Sequence, residues 1–439
     1  LSFSFCLLSF TLLPLNILAT IKKSDFLSQA ATLISGAVLA QVIFILFSPL
    51  LSRLYTPVEF GMYALFMSIL SPLSIMVTGR YEQAIVIPDE DEDAIHIYSI
   101  VVILSILFSA IMVIVLLFFK NSICHFLKAE QLGNWLYLIP VSLFFLSFSQ
   151  SSTFWFIRKK TFKASAISKI SQSSLNISCS VPLGFLHVSK GLIIGDVAGK
   201  CGLAMVSVYQ SVRSGLDFRL LNIQGILKNL KRFRHFPLFN TLPGLLVTLS
   251  LSVPIFYINS FFSGSETGFV NQTRIAIFIP FSLISAALSQ VLLQRFTDKR
   301  KNGLPVMSGF KRMLKNITVL GIMAILLVQV GGVTLFKFVF GNEWSMSGVF
   351  SKILIFSYAI QFIVSPFSVV FIAFDRIKIL SFWQFFYFST ILLLYFARSA
   401  SIINFLLIYS FIEFFCYLIY LFLIFRVISE YEKNQLNNG

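Results

Sequence analysis

Charge is what this sequence has least of. Only 12% of its 439 residues are Asp, Glu, Lys or Arg, and the 18 acids are outnumbered by 34 bases. Cysteine is scarce too: Cys6, Cys124, Cys179, Cys201 and Cys416 are odd in number and lack CxxC spacing, which excludes a disulfide framework or a cysteine metal cluster. His96, His125, His187 and His235 form no HExxH motif, so structural or interfacial roles suit them. There is no GxxxxGK[ST] and no GxSxG, which argues against ATP hydrolysis and serine chemistry in this chain. No metal or organic cofactor is expected.

What fills the space is hydrocarbon. The hydrophobic fraction is 57%, with 51 phenylalanines, and mean hydropathy is +0.87. Soluble chains sit nearer ~45–50%. With lipid as solvent, backbone groups must be satisfied internally, and apolar runs near 20 residues without strict alternation select helices over a barrel. The expectation is an all-α polytopic bundle of about twelve transmembrane helices, near 31–51, 62–79, 94–119, 135–157, 164–188, 191–210, 239–258, 268–293, 313–336, 348–374, 379–396 and 402–425. The fifth and sixth are the least distinct, because the fifth is Ser-rich and a short loop parts them.

If the chain before the first span is cytoplasmic, alternate loops collect Lys22, Lys23, Arg80, Arg158, Lys159, Lys160, Lys163, the basic stretches 213–234 and 295–315, Arg376, Lys378, Arg426 and Lys433. The other face holds Arg53, Lys120, Lys128, Lys190, Lys337 and Arg398. By the positive-inside rule both termini are cytoplasmic, and the net charge of +16 reads as topology and attraction to anionic membrane lipids, with no nucleic acid as partner. The outer loops are short, the longest near 120–134, which leaves little room for an extramembrane catalytic domain. Residues 1–23 form an apolar leader or N-terminal extension. Lacking a basic n-region and an A-x-A site, the leader fits a signal peptide poorly. An extra span would reverse the N-terminus; the missing initiator Met favours an extension from a misplaced start.

An internal repeat divides the rest. Thr56-Pro57-Val58-Glu59-Phe60-Gly61 and Ser263-Gly264-Ser265-Glu266-Thr267-Gly268 both spell [ST]-x-x-E-x-G, and 263 − 56, 266 − 59 and 268 − 61 each equal 207. Each copy is a capping box at a helix start on the outer face, with Pro57 suited to N1. Pro72 and Pro280 then interrupt the second and eighth spans at nearly matching depths. The expected organisation is an N-lobe over 24–210 (helices 1–6), a basic linker over 211–238 on the cytoplasmic surface, a C-lobe over 239–426 (helices 7–12) and a tail over 427–439. Two parallel lobes of this kind suit a transporter that rocks one lobe against the other.

Charges inside the spans are the candidate site residues, since each costs at least ~2.5–3.5 kcal/mol at the bilayer centre unless it faces protein or water. Asp196 and Lys200 share a helix face and can neutralise each other. Lys169 and Lys352 lie near span ends and can snorkel. Arg274, two turns into the eighth span with no carboxylate within a turn after it, is the best candidate for an anion contact, because a guanidinium presents a fixed fork of donors to phosphate oxygens. Glu413 lies mid-span in the twelfth helix, as a structural carboxylate or a proton or sodium site. The run Asp89-Glu90-Asp91-Glu92-Asp93 is expected to cap the third helix and complement its dipole.

The segment LSRLYTPVEFGMYALFMSIL from Leu51 and GRYEQAIVIP from Gly79 resemble the polysaccharide biosynthesis family of oligosaccharide flippases. GSETGF from Gly264, PFSLISAALSQVLLQR from Pro280, and FGNEWSMSG and IQFIVSPFSVVF from Phe340 onward extend the resemblance from about Ser24 to the C-terminus. It implies a multi-pass protein of the bacterial inner membrane in the multidrug/oligosaccharidyl-lipid/polysaccharide exporter superfamily, working by alternating access without catalysis. The implied cargo is an oligosaccharide on undecaprenyl diphosphate, flipped for O-antigen or capsule assembly, alongside polysaccharide polymerase and chain-length proteins. Arg80 and Arg274 occupy positions implied to meet the diphosphate. Lys200 and Glu413 depart from the family pattern, leaving the coupling ion, proton or sodium, open.

The working hypothesis is therefore a flippase with Arg80 and Arg274 on the diphosphate, polar residues such as Gln41 and Gln361 along the sugar path, and Glu82, Lys200, Lys352 and Glu413 as lesser binding or coupling candidates. A drug/cation antiporter of the same superfamily would need a carboxylate-lined N-lobe cavity. A membrane glycan polymerase would need a large catalytic loop.

Overall fold

Every expected span coincides with a helix, to within a few residues, in the computed structural model, which describes residues 25–438. The leader, Cys6, Lys22 and Lys23 lie outside the described residues. In chain order the long helices are α1 (Asp25–Leu54), α2 (Pro57–Met76), α3 (Asp91–Leu127), α4 (Leu138–Lys159), α5 (Phe162–Phe185), α6 (Gly191–Arg213), α7 (Ile223–Arg232), α8 (Thr241–Phe261), α9 (Gly264–Lys301), α10 (Met307–Phe340), α11 (Asn342–Ala373), α12 (Ile377–Ala397) and α13 (Ile402–Asn438). The protein is an all-α polytopic membrane protein.

Among the described residues, nine helices are long and apolar enough to cross a membrane on composition alone. The Ser-rich α4 and α5 fall short because serine lowers their hydropathy, and their bonding shows how those serines are accommodated. Their hydroxyls return to their own helix: Ser147 to the Phe144 carbonyl at 2.7 Å, Ser151 to Ser147 at 3.0 Å, Ser168 to Ala164 at 2.9 Å. A serine satisfied this way is buried at small cost and keeps the surface narrow for a neighbour. Thus α5 packs closely on α6, where a Cβ at Gly195 would meet Ser180 Oγ at 2.0 Å.

The alternation of loops read from charge is the alternation seen. On the basic face, Arg158 at the end of α4 holds Asp91 at the start of α3, Arg300 in the last turn of α9 pairs with Asp375 at 2.6 Å, and Glu432 of α13 accepts from the Val306 and Met307 amides at the start of α10. On the opposite face, Arg53 donates to the Phe338 carbonyl, Ser52 to that of Phe340 and Lys128 to that of Ser260.

Apart from α2, the helices before α7 pack mainly on one another, as do those after it; α2 packs chiefly on α8 and α9, and α1 also meets α10. The repeat motif sits at the first of these. Thr56 accepts from the Glu59 amide while Glu59 accepts from the Thr56 amide, a complete capping box on α2. At α9 Ser263 accepts from the Glu266 amide and its hydroxyl donates to the Glu266 carboxylate. These starts bring Gly61 and Gly268 together. A Cβ on Gly61 would lie 1.9 Å from the Gly264 carbonyl oxygen, and one on Gly268 would lie 1.8 Å from that of Pro57. The two copies of the motif therefore meet backbone to backbone. Trp344 seals the same end, its indole donating to the Ser52 carbonyl at 2.7 Å while Phe60 packs edge-on at 4.9 Å.

Candidate functional site

Pro280 has no amide hydrogen and its ring crowds the carbonyl a turn earlier, so α9 cannot run on as a regular helix through it. The turn before it, Arg274–Phe278, is a π-helix, which re-spaces the carbonyls and turns Arg274 toward the bundle interior. Its guanidinium stands 5.4 Å over the Phe278 ring and has no ion-pair partner among the described residues. It lines a narrow cleft with Tyr358 and Gln361 of α11, Tyr409 of α13, and apolar side chains of α8 such as Pro254 and Ile258.

Behind that wall Glu413 is fully buried. Its carboxylate accepts from Gln361 Nε2 at 2.6 Å and from the Tyr387 hydroxyl of α12, with the Tyr409 hydroxyl beside it. Two neutral donors hold this side chain in an aromatic setting completed by Trp383 and Tyr417. The structure thus brings together Arg274, Gln361 and Glu413, which lie far apart in sequence. Tyr358, Tyr387 and Tyr409 escaped the sequence reading, since nothing separates them there from the other tyrosines.

Arg80 lies elsewhere. It follows α2 in a left-handed conformation (φ 60°), stands 3.7 Å from Glu82 and reaches α8, where a Cβ on Gly244 would meet its guanidinium at 2.4 Å. Gly244 precedes Leu251 of the Arg274 cleft by seven residues, about 10 Å along α8. The two arginines flank one helix at different depths and do not share one cleft in this state.

Lys200 is closed in an ion pair with Asp196 of the same helix, beside Met67 and with Tyr63 3.5 Å from the carboxylate. Gln41 of α1 and Lys352 of α11 are partly exposed and stand outside the Arg274 cleft. The Lys352 carbonyl accepts from Gln329.

The acidic run places Asp91, Glu92 and Asp93 in the first turn of α3, where they complement its dipole, but it does not cap the helix as expected. Glu90 occupies the N-cap of α3 without a side-chain capping bond. The neighbouring acids hold other elements instead, because charged partners from α4 and α7 outcompete the helix's own amides. Lys159 and Arg158 bind Asp91 and keep its carboxyl below the usual range; Asn229, with Lys228 and Arg232, does the same for Asp93.

A family model described as "Polysaccharide biosynthesis protein" matches residues 50–348, more than half of the chain. No curated protein matches the sequence. Among solved structures, an inward-facing multidrug resistance MATE family transporter of the MOP superfamily superposes with a TM-score of 0.69 at 14% identity, covering 91% of this chain and 96% of that one. The lipid II flippase MurJ, in an inward closed conformation, gives 0.67 at 15% identity over 93% and 90%. A MOP superfamily transporter from Pyrococcus furiosus, described by the reverse polarity of its binding pocket, gives 0.53 at 14% over 92% and 95%. At these identities the shared property is the fold.

Proposed function

This chain belongs to the polysaccharide biosynthesis protein family, and from that premise we propose that it is a flippase for oligosaccharides carried on undecaprenyl diphosphate, in O-antigen or capsule assembly. The observation that carries the reading is Arg274. A guanidinium without an acidic partner among the described residues, set in an interior cleft beside an amide and two phenol hydroxyls, offers charge to a diphosphate and neutral hydrogen bonds to the adjoining sugar. A charge within a membrane span that has no counter-ion is costly, and an anionic ligand relieves it.

In this reading the basic face is cytoplasmic in a bacterial inner membrane, with both termini there, and the helices before and after the 211–238 linker act as two lobes. The glycine contact and Trp344 close the outer end, so the cargo enters from the cytoplasmic side. Arg80 meets the diphosphate near that entrance and Arg274 receives it deeper, by turns rather than together. Gln361 faces the sugar path, and Glu413 is the candidate for the coupling ion, proton or sodium. Polymerase and chain-length proteins would take up the product; no step of covalent catalysis is assigned to this chain.

The drug/cation antiporter reading asks for free carboxylates in the first six helices. There Asp196 faces Lys200 and Glu82 faces Arg80, which favours the anion reading.

The test is reconstitution with defined undecaprenyl diphosphate oligosaccharides and a leaflet-accessibility assay. Arg274→Ala is expected to lower flipping about 10- to 100-fold, the worth of a charge-assisted contact. If Arg274→Ala and Arg80→Ala, both inserted normally, still restore polysaccharide export to a strain lacking the flippase, the anion site is wrongly assigned.

A further inference from the structure

The segment between the two groups of helices does not hang free. Asn222 caps α7 by accepting from the Gly225 amide, and its own side chain reaches Glu92 at 3.2 Å and His96 at 3.2 Å near the start of α3. Two turns on, the Asn229 amide donates to Asp93 at 2.8 Å, with Lys228 and Arg232 at 3.6 and 3.5 Å from the same carboxylate. A Cβ on Gly225 would lie 2.3 Å from the His96 ring, so α7 rests directly on α3. The 3₁₀ turn before it, Phe218–Leu220, places the Phe218 ring 6.0 Å from that of Tyr98. These contacts hold α7 level with residues 92–98 of α3, where the acidic run gives way to the apolar span. That is the depth of the boundary between headgroups and acyl chains.

The contacts occupy the face bearing Gly225, Ile226, Asn229 and Leu230. The other face is open. Ile223 and Leu227, one turn apart, are 74% and 60% exposed, and Leu220 and Phe218 continue the stripe. Arg219, Lys228, Lys231, Arg232 and Arg234 border it and are exposed. An apolar stripe calls for hydrocarbon, and a basic border calls for anions. The surface that supplies both at this depth is a leaflet containing acidic phospholipid.

We infer that α7 and the preceding turn form an interfacial foot that docks on anionic phospholipid, with the apolar stripe in the acyl boundary and the arginines and lysines among the phosphates. Because α7 is clamped to α3, the foot ties the first six helices to the bilayer plane. The inference stands apart from the cargo reading, and its test involves no transport.

The experiment is hydrogen exchange of residues 218–232, followed by mass spectrometry, on the full chain in nanodiscs of phosphatidylcholine alone or mixed with phosphatidylglycerol. Exchange is expected to be slower with the acidic lipid, and the difference to fade at ~0.5 M salt. Each cation at an anionic surface is worth about fivefold, so the triple variant Arg219→Gln, Lys231→Gln, Arg234→Gln should lose about a hundredfold in docked population. Those three side chains take no part in the clamp to Asp93, so the fold is kept. Ile223→Ser with Leu227→Ser should abolish the protection at any salt. Equal exchange in the two lipids at low salt overturns the inference. Protection that appears in either lipid only when a soluble protein is added overturns it in favour of a protein-docking surface.

Discussion

Arg274 and Glu413 pose the same physical problem, a charge at bilayer depth, and the fold treats them in opposite ways. Glu413 is surrounded by donors, whereas Arg274 is left facing a cleft. Glu413→Ala would strand the Gln361 amide and the Tyr387 hydroxyl, each costing about 1–3 kcal/mol, while Glu413→Gln keeps an acceptor oxygen and should cost clearly less. Thermal unfolding of the two variants in one detergent checks the order; equal losses would count against a bonding role. Both charges were legible in the sequence, since a charged residue in an apolar run stands out. Their partners were not. Tyr387 and Gln361 come from other helices, and only packing selects them.

Elements show a similar division between what local sequence dictates and what assembly adds. The capping box of α2, the Ser263 cap that forms only half of one at α9, and the proline-induced irregularity of α9 follow from near neighbours in the chain and were readable there. The acidic start of α3 was misread as a cap because its partners, Arg158, Lys159 and the side chains of α7, lie some 70 to 140 residues away. The correction has a pH consequence. Carboxyls held below their ordinary range contribute fully above the unfolded Asp value near ~3.9 and lose that contribution as pH falls through the lowered folded value. Stability should therefore drop on acidification below about pH 4, and Asp93→Asn should flatten that drop while lowering stability at neutral pH. A melting profile from neutral to acidic pH of both proteins measures it. A parallel profile for the variant would mean that Asp93 does not hold α7.

At the scale of the molecule, the repeat was found as a pattern, but a pattern does not say that its two copies touch. They do, at Gly61 and Gly268, and there is no room for a side chain on either side. Gly268→Val should force α2 and α9 apart, open the outer end to a membrane-impermeant thiol reagent directed at a cysteine placed at Ser52, and reduce transport strongly. Trp344→Phe, which removes one hydrogen bond and keeps the ring contacts, should raise labelling to a smaller extent. Unchanged protection in Gly268→Val would show that the seam is held elsewhere.

A contact made of two backbones also works as a fulcrum. Gly268 stands 33 residues from Lys301 at the far end of α9, an arm of at most about 50 Å at 1.5 Å per residue, since the π-turn at Arg274–Phe278 shortens it. Tilting such an arm by about 10° carries its tip some 9 Å, by the same helical rise. A swing too small to disturb the glycines therefore gives a displacement as wide as a helix at the basic face.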